Sequence, residues 1–294
     1  MPTYAVTGAA SGMGLAVADN LRTDGHTVVT VDLHDADIVA DLATTEGRRH
    51  ASEEVLSRSG GTLHGAVLAA GLGPVPGREE VIAQVNFVAP VQLLEAWRPA
   101  MADTAATSGV SSKVVVFGSN SASVTPGIPG ALVNSFLRDR PRLRAAVTRP
   151  LGKNGAAFTY GASKLALTRW ARREAVKHSW AGSGIRLNVI APGAILTPLL
   201  QAQLDGPDHE RIETFPVPTG GYGRAEDIAA WAVFMLCPAA EFLCGSVVYV
   251  DGGSDAYFRA DAWPSSSSLA SIPGWFRRMR AFGRTGPGDL APPR

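Results

Sequence analysis

The chain has 294 residues, 46% of them hydrophobic and 18% charged, with a formal net charge of +1. That length suits one large α/β domain or two small ones with a substantial core, and the composition excludes overall disorder. The near-neutral balance argues against nucleic acid or another polyanion as the main partner, and the apolar runs all fall short of an integral membrane segment.

The chain enters its first strand at Thr3 with no basic leader or cleavage site, so the expected location is cytoplasmic. Thr3–Thr7 is a short β-rich run that stops at Gly8. The stretch Thr7-Gly8-Ala9-Ala10-Ser11-Gly12-Met13-Gly14 follows, and Leu15, Ala16, Ala18 and Leu21 then continue at helical spacing. A glycine cluster between strand and helix lets backbone amides approach a phosphate, and the helix N-terminus favours its charge. In that setting the cluster reads as a nucleotide site. A second strand over 27–31 ends at Asp32, whose carboxylate can accept both ribose hydroxyls of NAD and would repel a 2′-phosphate. No Arg or Lys adjoins it, which favours NAD(H) over NADP(H). At Asp41-Leu42 two readings stand: the carboxylate contacts an adenine amino group, or it caps the helix beginning near Thr44.

A helix over Thr45–Arg58 leads to a third strand at 64–69, which ends in Ala70-Gly71. A long helical segment over 79–101 carries Asn86, and a fourth strand at 114–117 ends at Gly118-Ser119-Asn120-Ser121. Strands that end in small or polar residues and alternate with helices predict a single-domain, doubly wound parallel sheet of Rossmann type, with helices on both faces. Ligands of such sheets bind at the carboxyl ends of the strands, so Ser119 and the glycine turn belong to one edge.

Ala166, Leu167, Trp170, Ala171 and Val176 recur at helical spacing after Tyr160. Tyr160 and Lys164 therefore share a helix face and converge on one point. A phenol titrates near pH 10 in water, too high for efficient proton transfer at neutral pH. A neighbouring cation is expected to lower that value and make Tyr160 a general acid or base for an alcohol or carbonyl. Taken alone, two such residues four apart are commonly a solvated surface pair.

With these motifs in order, the chain resembles the short-chain dehydrogenase/reductase family over about residues 3–254. The resemblance rests on the glycine turn, Ala69-Ala70-Gly71, Asn86, Ser119, Tyr160-Gly161-Ala162-Ser163-Lys164, the run from Ile185 through Pro192-Gly193, Thr197, and the closing strand before Asp251-Gly252-Gly253. It implies that Tyr160 exchanges the proton with substrate oxygen, while Lys164 tunes Tyr160 and binds the nicotinamide ribose. Ser119 would donate to the substrate oxygen, with Ser121 as its rival, and Asn86 would hold a water leading from Lys164 to solvent. Cofactor contacts are implied at Gly8, Ser11, Gly12, Met13, Gly14, Asp32, Asp41, Leu42, Ala70, Gly71, Pro192, Gly193, Ile195 and Thr197, besides Tyr160 and Lys164. No metal site is implied. Phrases such as Val31-Asp32-Leu33-His34 and Pro192-Gly193-Ala194-Ile195-Leu196-Thr197 look like those of the 3α-hydroxysteroid dehydrogenase/carbonyl reductase group. The implied activity is NAD(H)-dependent interconversion of a secondary alcohol and a ketone on a steroid- or terpenoid-like molecule. Alternatives are a dehydrogenase of aromatic dihydrodiols or acyl-linked ketones, and a non-catalytic nucleotide sensor.

Residues 124–155 form an insertion with Arg138, Arg140, Arg142, Arg144, Arg149 and Lys153 against one acid, Asp139, and read as a solvated basic loop. The resemblance makes it a device against the family's usual tetramer contact, implying a homodimer through the last core helix and strand, with a homotetramer as the alternative. Residues 198–218 lack clean periodicity and sit where the family has a mobile substrate lid; its leucines suit an apolar substrate, and His209 reads as a surface histidine. Cys237 and Cys244 have neither metal-ligand nor disulfide spacing and read as buried thiols. Residues 255–294 form a C-terminal extension in which Trp275, Phe276, Met279 and Phe282 mix with arginines. This patch fits a membrane surface but is short for one, and packing over the substrate cleft or onto a partner subunit fits it at least as well.

Overall fold

The computed structural model describes residues 1–206, 209–264 and 266–285. Its strands are β1 (Thr3–Thr7), β2 (Thr27–Asp32), β3 (Ile38–Val39), β4 (Gly65–Leu68), β5 (Ser112–Phe117), β6 (Ile185–Pro192), β7 (Ile195–Leu196), β8 (Gly223–Arg224) and β9 (Val247–Val250). The first helices are α1 (Gly12–Thr23), α2 (Thr45–Arg58), α3 (Glu79–Ala83), α4 (Ala89–Ser108) and α5 (Ser121–Val124). They are followed by α6 (Gly130–Leu137), α7 (Pro141–Thr148), α8 (Gly155–Ala175), α9 (Pro198–Leu204) and α10 (His209–Glu213). The last described helices are α11 (Ala225–Leu236), α12 (Ser254–Arg259) and α13 (Ile272–Thr285).

Seven strands form one sheet in the order β3-β2-β1-β4-β5-β6-β9, and every neighbouring pair is parallel. Successive strand residues point to opposite faces, and both faces are buried, which is why these strands read as continuous apolar runs. On one face Ala5, Val31, Ala66, Val114 and Leu187 pack with Leu93, Trp97 and Leu167 from α4 and α8. On the other, Val6, Val67, Val115 and Ile190 pack with Val17 and Leu21 of α1 and Ile228 and Met235 of α11. Helices thus cover both faces of the sheet, and the strand order reverses between β1 and β4, the place where such sheets bind ligands.

Three segments differ from their sequence expectation. The helix expected over 79–101 is divided: a π-helical turn, Gln84–Val88, separates α3 from α4, and Asn86 lies in its middle. Pro90 has no amide for the Asn86 carbonyl four residues back, so the regular ladder breaks where the wider turn ends.

The insertion is not a solvated loop. It folds as α6 and α7 against α8, with Leu132, Val133 and Phe136 fully buried in the main core. Arg144 is buried as well, its guanidinium 4.9 Å from the Phe136 ring centroid and its Nη2 3.0 Å from Glu80 Oε1. Arg138, Asp139, Arg140, Arg142, Arg149 and Lys153 keep the solvent exposure their charge suggests.

The described residues of the segment 198–218 carry α9 and α10. Thr197 caps α9 by accepting from Leu200 N at 3.4 Å, with Pro198 in the first turn. Phe215 packs on Phe258 of α12, ring centroids 5.7 Å apart. Both cysteines are half-buried rather than buried, and the Cys244 thiol donates to the Ala175 carbonyl at 3.3 Å.

Candidate active site

The carboxyl ends of β1, β4, β5 and β6 meet in one cleft. At its floor Gly8 has φ 72°, and its amide donates to Val31 O at 2.9 Å. A Cβ on Gly8 would lie 2.6 Å from Ala70 N, and one on Gly14 would lie 2.1 Å from Gly8 O. Only glycine allows the turn to pass this close to the end of β4. Ser11 is the N-cap of α1, yet its side chain caps nothing, and no acid stands in the first turn. The positive end of α1 therefore stays open to a phosphate, which is what a dinucleotide requires of this position. Asp32 is half-buried at the end of β2, where Oδ2 accepts from Ala10 N at 2.8 Å and Oδ1 from Leu33 N at 2.7 Å. The carboxylate thus ties the glycine turn to β2 and keeps further acceptor capacity for ribose hydroxyls.

The two readings of Asp41 separate in part. The cap of α2 is Thr44, which accepts from Gly47 N at 2.9 Å, whereas Asp41 Oδ1 accepts from Ala43 N in a local turn and stays exposed. Leu42 buries its side chain in the core. Its carbonyl accepts from Arg48 Nη1 at 3.0 Å, and the same guanidinium reaches Ala43 O, Thr45 Oγ1 and Gln92. Sequence reasoning missed Arg48. A basic residue one turn into a helix gives no periodicity signal, but here it fixes the loop beside Asp41.

Helix α8 places Tyr160 and Lys164 one turn apart beneath the end of β5. Lys164 is buried, and its Nζ donates to Phe117 O at 2.9 Å. Ser119 lies against the Tyr160 phenol, close enough to favour its charged form, and its Oγ is 3.1 Å from both Ser121 Oγ and Ser121 N. Of the two serines, Ser119 is the one against the phenol. Asn86 clamps the loop after β4, donating from Nδ2 to Leu72 O at 2.9 Å and accepting Leu72 N at 2.8 Å. A Cβ on Gly71 would stand 3.4 Å from both Asn86 Oδ1 and Lys164 Nζ, so these three positions converge on one point.

The electrostatics differ from the simple expectation for the pair. Burial pushes the Tyr160 phenol above its ordinary value, and Ser119 beside it works against that shift. Burial lowers Lys164 from 10.5 to about 8. With its amine turned to the Phe117 carbonyl, Lys164 is not among the groups that depress the phenol.

On the far side Asn120 N donates to Pro192 O at 2.9 Å, and Asn120 Nδ2 lies 3.4 Å from Asp251 Oδ2. Asn120 and Asp251 thus brace Ser119 against the Pro192-Gly193 turn. Neither was singled out beforehand, although Asp251-Gly252-Gly253 marked the end of β9. Gly193 is hemmed in as well, for its Cβ would meet Asp251 Cα at 2.7 Å. Ile195 is buried in β7, and the Thr197 methyl lies 3.2 Å from where a Gly12 Cβ would be, beside half-buried Met13. Across the cleft, Leu199 and Gln203 of α9 lie over Gly73. His209 makes a local contact with Gly206 O within the same segment. Among the described residues no cluster of His, Cys, Asp and Glu could hold a metal, and no helix is long and apolar enough to cross a membrane.

Residues 147–255 match a family model described as enoyl-(acyl carrier protein) reductase. The chain is 34% identical over 260 residues to the 3-alpha-hydroxysteroid dehydrogenase/carbonyl reductase of Comamonas testosteroni, covering 88% of this chain and 98% of the relative. It is 28% identical to D-threitol dehydrogenase of Mycolicibacterium smegmatis, with 84% and 90% covered. Among solved structures, the NADH complex of the 3-alpha-hydroxysteroid dehydrogenase from Pseudomonas sp. B-0831 superposes with a TM-score of 0.80 at 37% identity, covering 88% of this chain and 99% of that one. The chain belongs to the short-chain dehydrogenase/reductase family, oxidoreductases that act on CH–OH groups.

Proposed function

We propose that residues 1–254 form an NAD(H)-dependent dehydrogenase/reductase that interconverts a secondary alcohol and a ketone on a hydrophobic, steroid- or terpenoid-like substrate. The observation that carries this reading is Ser119 against the Tyr160 phenol, with Lys164 buried one helical turn further along α8 and its amine on the Phe117 carbonyl. NAD, when bound, supplies the hydride acceptor. Tyr160 exchanges the proton with the substrate oxygen, and Ser119 donates a hydrogen bond to that oxygen as it gains charge. Lys164 leaves Phe117 O for the ribose hydroxyls and, as a cation there, makes the phenolate accessible. Asn86 holds the Leu72 loop so that a water can lead from Lys164 to solvent.

The preference for NAD rests on the Asp32 carboxylate, which would repel a 2′-phosphate, and on Leu33, His34 and Asp35 following it in place of an Arg or Lys. The solved relative carrying NADH agrees with it. The hydrophobic substrate is supported by Leu199 of α9, which lies over Gly73 at the cleft, and by the steroid dehydrogenases among the relatives. We also propose a homodimer formed through α11 and β9.

The test is NADH formation with NAD, then NADP, across steroid, terpenoid and aromatic secondary alcohols. Turnover with NAD on one class is expected. Tyr160→Phe should abolish it and leave NAD affinity nearly unchanged; appreciable residual turnover in that variant would sink the assignment.

A further inference from the structure

Helix α13 sorts its side chains by face. Ile272, Trp275, Phe276, Met279 and Phe282 recur three and four residues apart, so they share one stripe. All five lie between 44% and 57% exposed. Arg277, Arg278 and Arg280 occupy the rest of the circumference, and residues 272–285 contain four arginines and no acidic residue. The element that α13 touches most is the short turn Leu269–Ser271 immediately before it, where Leu269 is itself exposed. The helix therefore does not bury its stripe on the sheet domain.

An apolar stripe left about half in water keeps apolar surface that the described chain does not cover, so it points to an occupant outside that chain. Charge decides which one. A second copy would bring two arginine-only helices together with no carboxylate on either to offset them. An anionic bilayer complements both faces at once. The apolar stripe enters the boundary between headgroups and acyl chains, the arginines stay level with the lipid phosphates, and Trp275 sits where indole rings are favoured.

We propose that α13 lies in the plane of an anionic lipid surface and docks the enzyme on it, with no segment spanning the bilayer. The test is flotation of the full chain with phosphatidylcholine vesicles prepared with and without phosphatidylglycerol. The protein should float with the anionic vesicles, remain behind with pure phosphatidylcholine, and be released by added salt. The Phe276→Asp/Met279→Asp double variant should lose co-flotation while keeping NAD-driven thermal stabilisation, which shows the domain still folded. Replacing Arg277, Arg278 and Arg280 by Glu should abolish it too. Failure of the unaltered chain to float with anionic vesicles overturns the proposal. So does flotation that survives Phe276→Asp/Met279→Asp. A fall in light-scattering mass in that variant, without vesicle binding by the parent, would assign the stripe to a second copy instead.

Discussion

Lys164 is an amine sealed beneath the sheet edge, and burial is the one cause of its shift from 10.5 to about 8. Because the folded state releases this proton more readily than the unfolded chain, the stability of the cofactor-free protein should rise as pH climbs from about 8 to 10.5. Below that window the fold carries the cost of a desolvated charge, on the order of 3 kcal/mol at most. Lys164→Met should therefore be inactive yet more stable than the parent at neutral pH, with the advantage shrinking across the window. Urea midpoints of both proteins at a series of pH values check this, and a difference independent of pH would refute it. Tyr160 acts later and with the opposite sign. Its raised value lets the folded state hold the phenolic proton longer, so that contribution is lost as pH rises beyond 10. Asp32 offers a second test at this scale. Asp32→Ala removes the acceptor for Ala10 N and the proposed acceptor for ribose hydroxyls. NAD affinity should fall by about 10-fold or more, as expected for hydrogen bonds to a charged group. NADP affinity should fall much less, because the same change removes a repulsive charge. Titration calorimetry with both nucleotides separates the two effects.

Among the elements, α6 and α7 turn an apparent surface loop into part of the core. Phe136 is buried against Phe87, ring centroids 5.3 Å apart, with the Arg144 guanidinium on its face. Phe136→Ala should lower stability by about 3–4 kcal/mol, the range for a buried aromatic. A solvated loop would lose under about 0.5 kcal/mol, and the unfolding midpoint distinguishes the two. The same elements explain what was legible in the sequence. The strands could be read because each apolar run stops at a residue the site needs, Gly8 after β1, Asp32 at the end of β2 and Ser119 just past β5. Their burial on both faces removes alternation but leaves strong β-branched runs. The helix that carries Tyr160 and Lys164 could be read because Ala166, Leu167, Trp170 and Ala171 recur at helical spacing just after them. In the insertion the buried apolar positions fall in a helix of only eight residues, so five arginines against one acid read as a solvated face and hide that one of them is buried. The π turn at Asn86 escapes any periodicity reading, since it follows from one missing amide at Pro90. The resting bond of Lys164 to Phe117 O depends on a contact 47 residues away.

At the scale of the molecule the sheet has two unequal edges. One is closed by β3, only two residues long. The other is β9, paired with β6 on one side only and half-exposed throughout its length. Beside it, α11 turns Trp231 and Phe234 outward, 46% and 48% exposed, with their rings edge to face at 5.9 Å. A free parallel edge next to exposed aromatics invites pairing, and closed two-fold symmetry is the commonest way to satisfy it without open-ended assembly. A self-complementary patch of this kind stops at two copies unless a second contact surface is available. The helices α6 and α7 lie on α8, where the family resemblance puts the tetramer contact, and the proposed dimer has them cover that surface. Light scattering should give a dimer at micromolar concentration, and Trp231→Glu should shift it to monomer by placing a charge at the centre of the patch. If α11 and β9 form the interface, the variant should also lose thermal stability in a concentration-dependent way, since dissociation and unfolding are then linked. A tetramer that Trp231→Glu leaves intact would place the interface elsewhere.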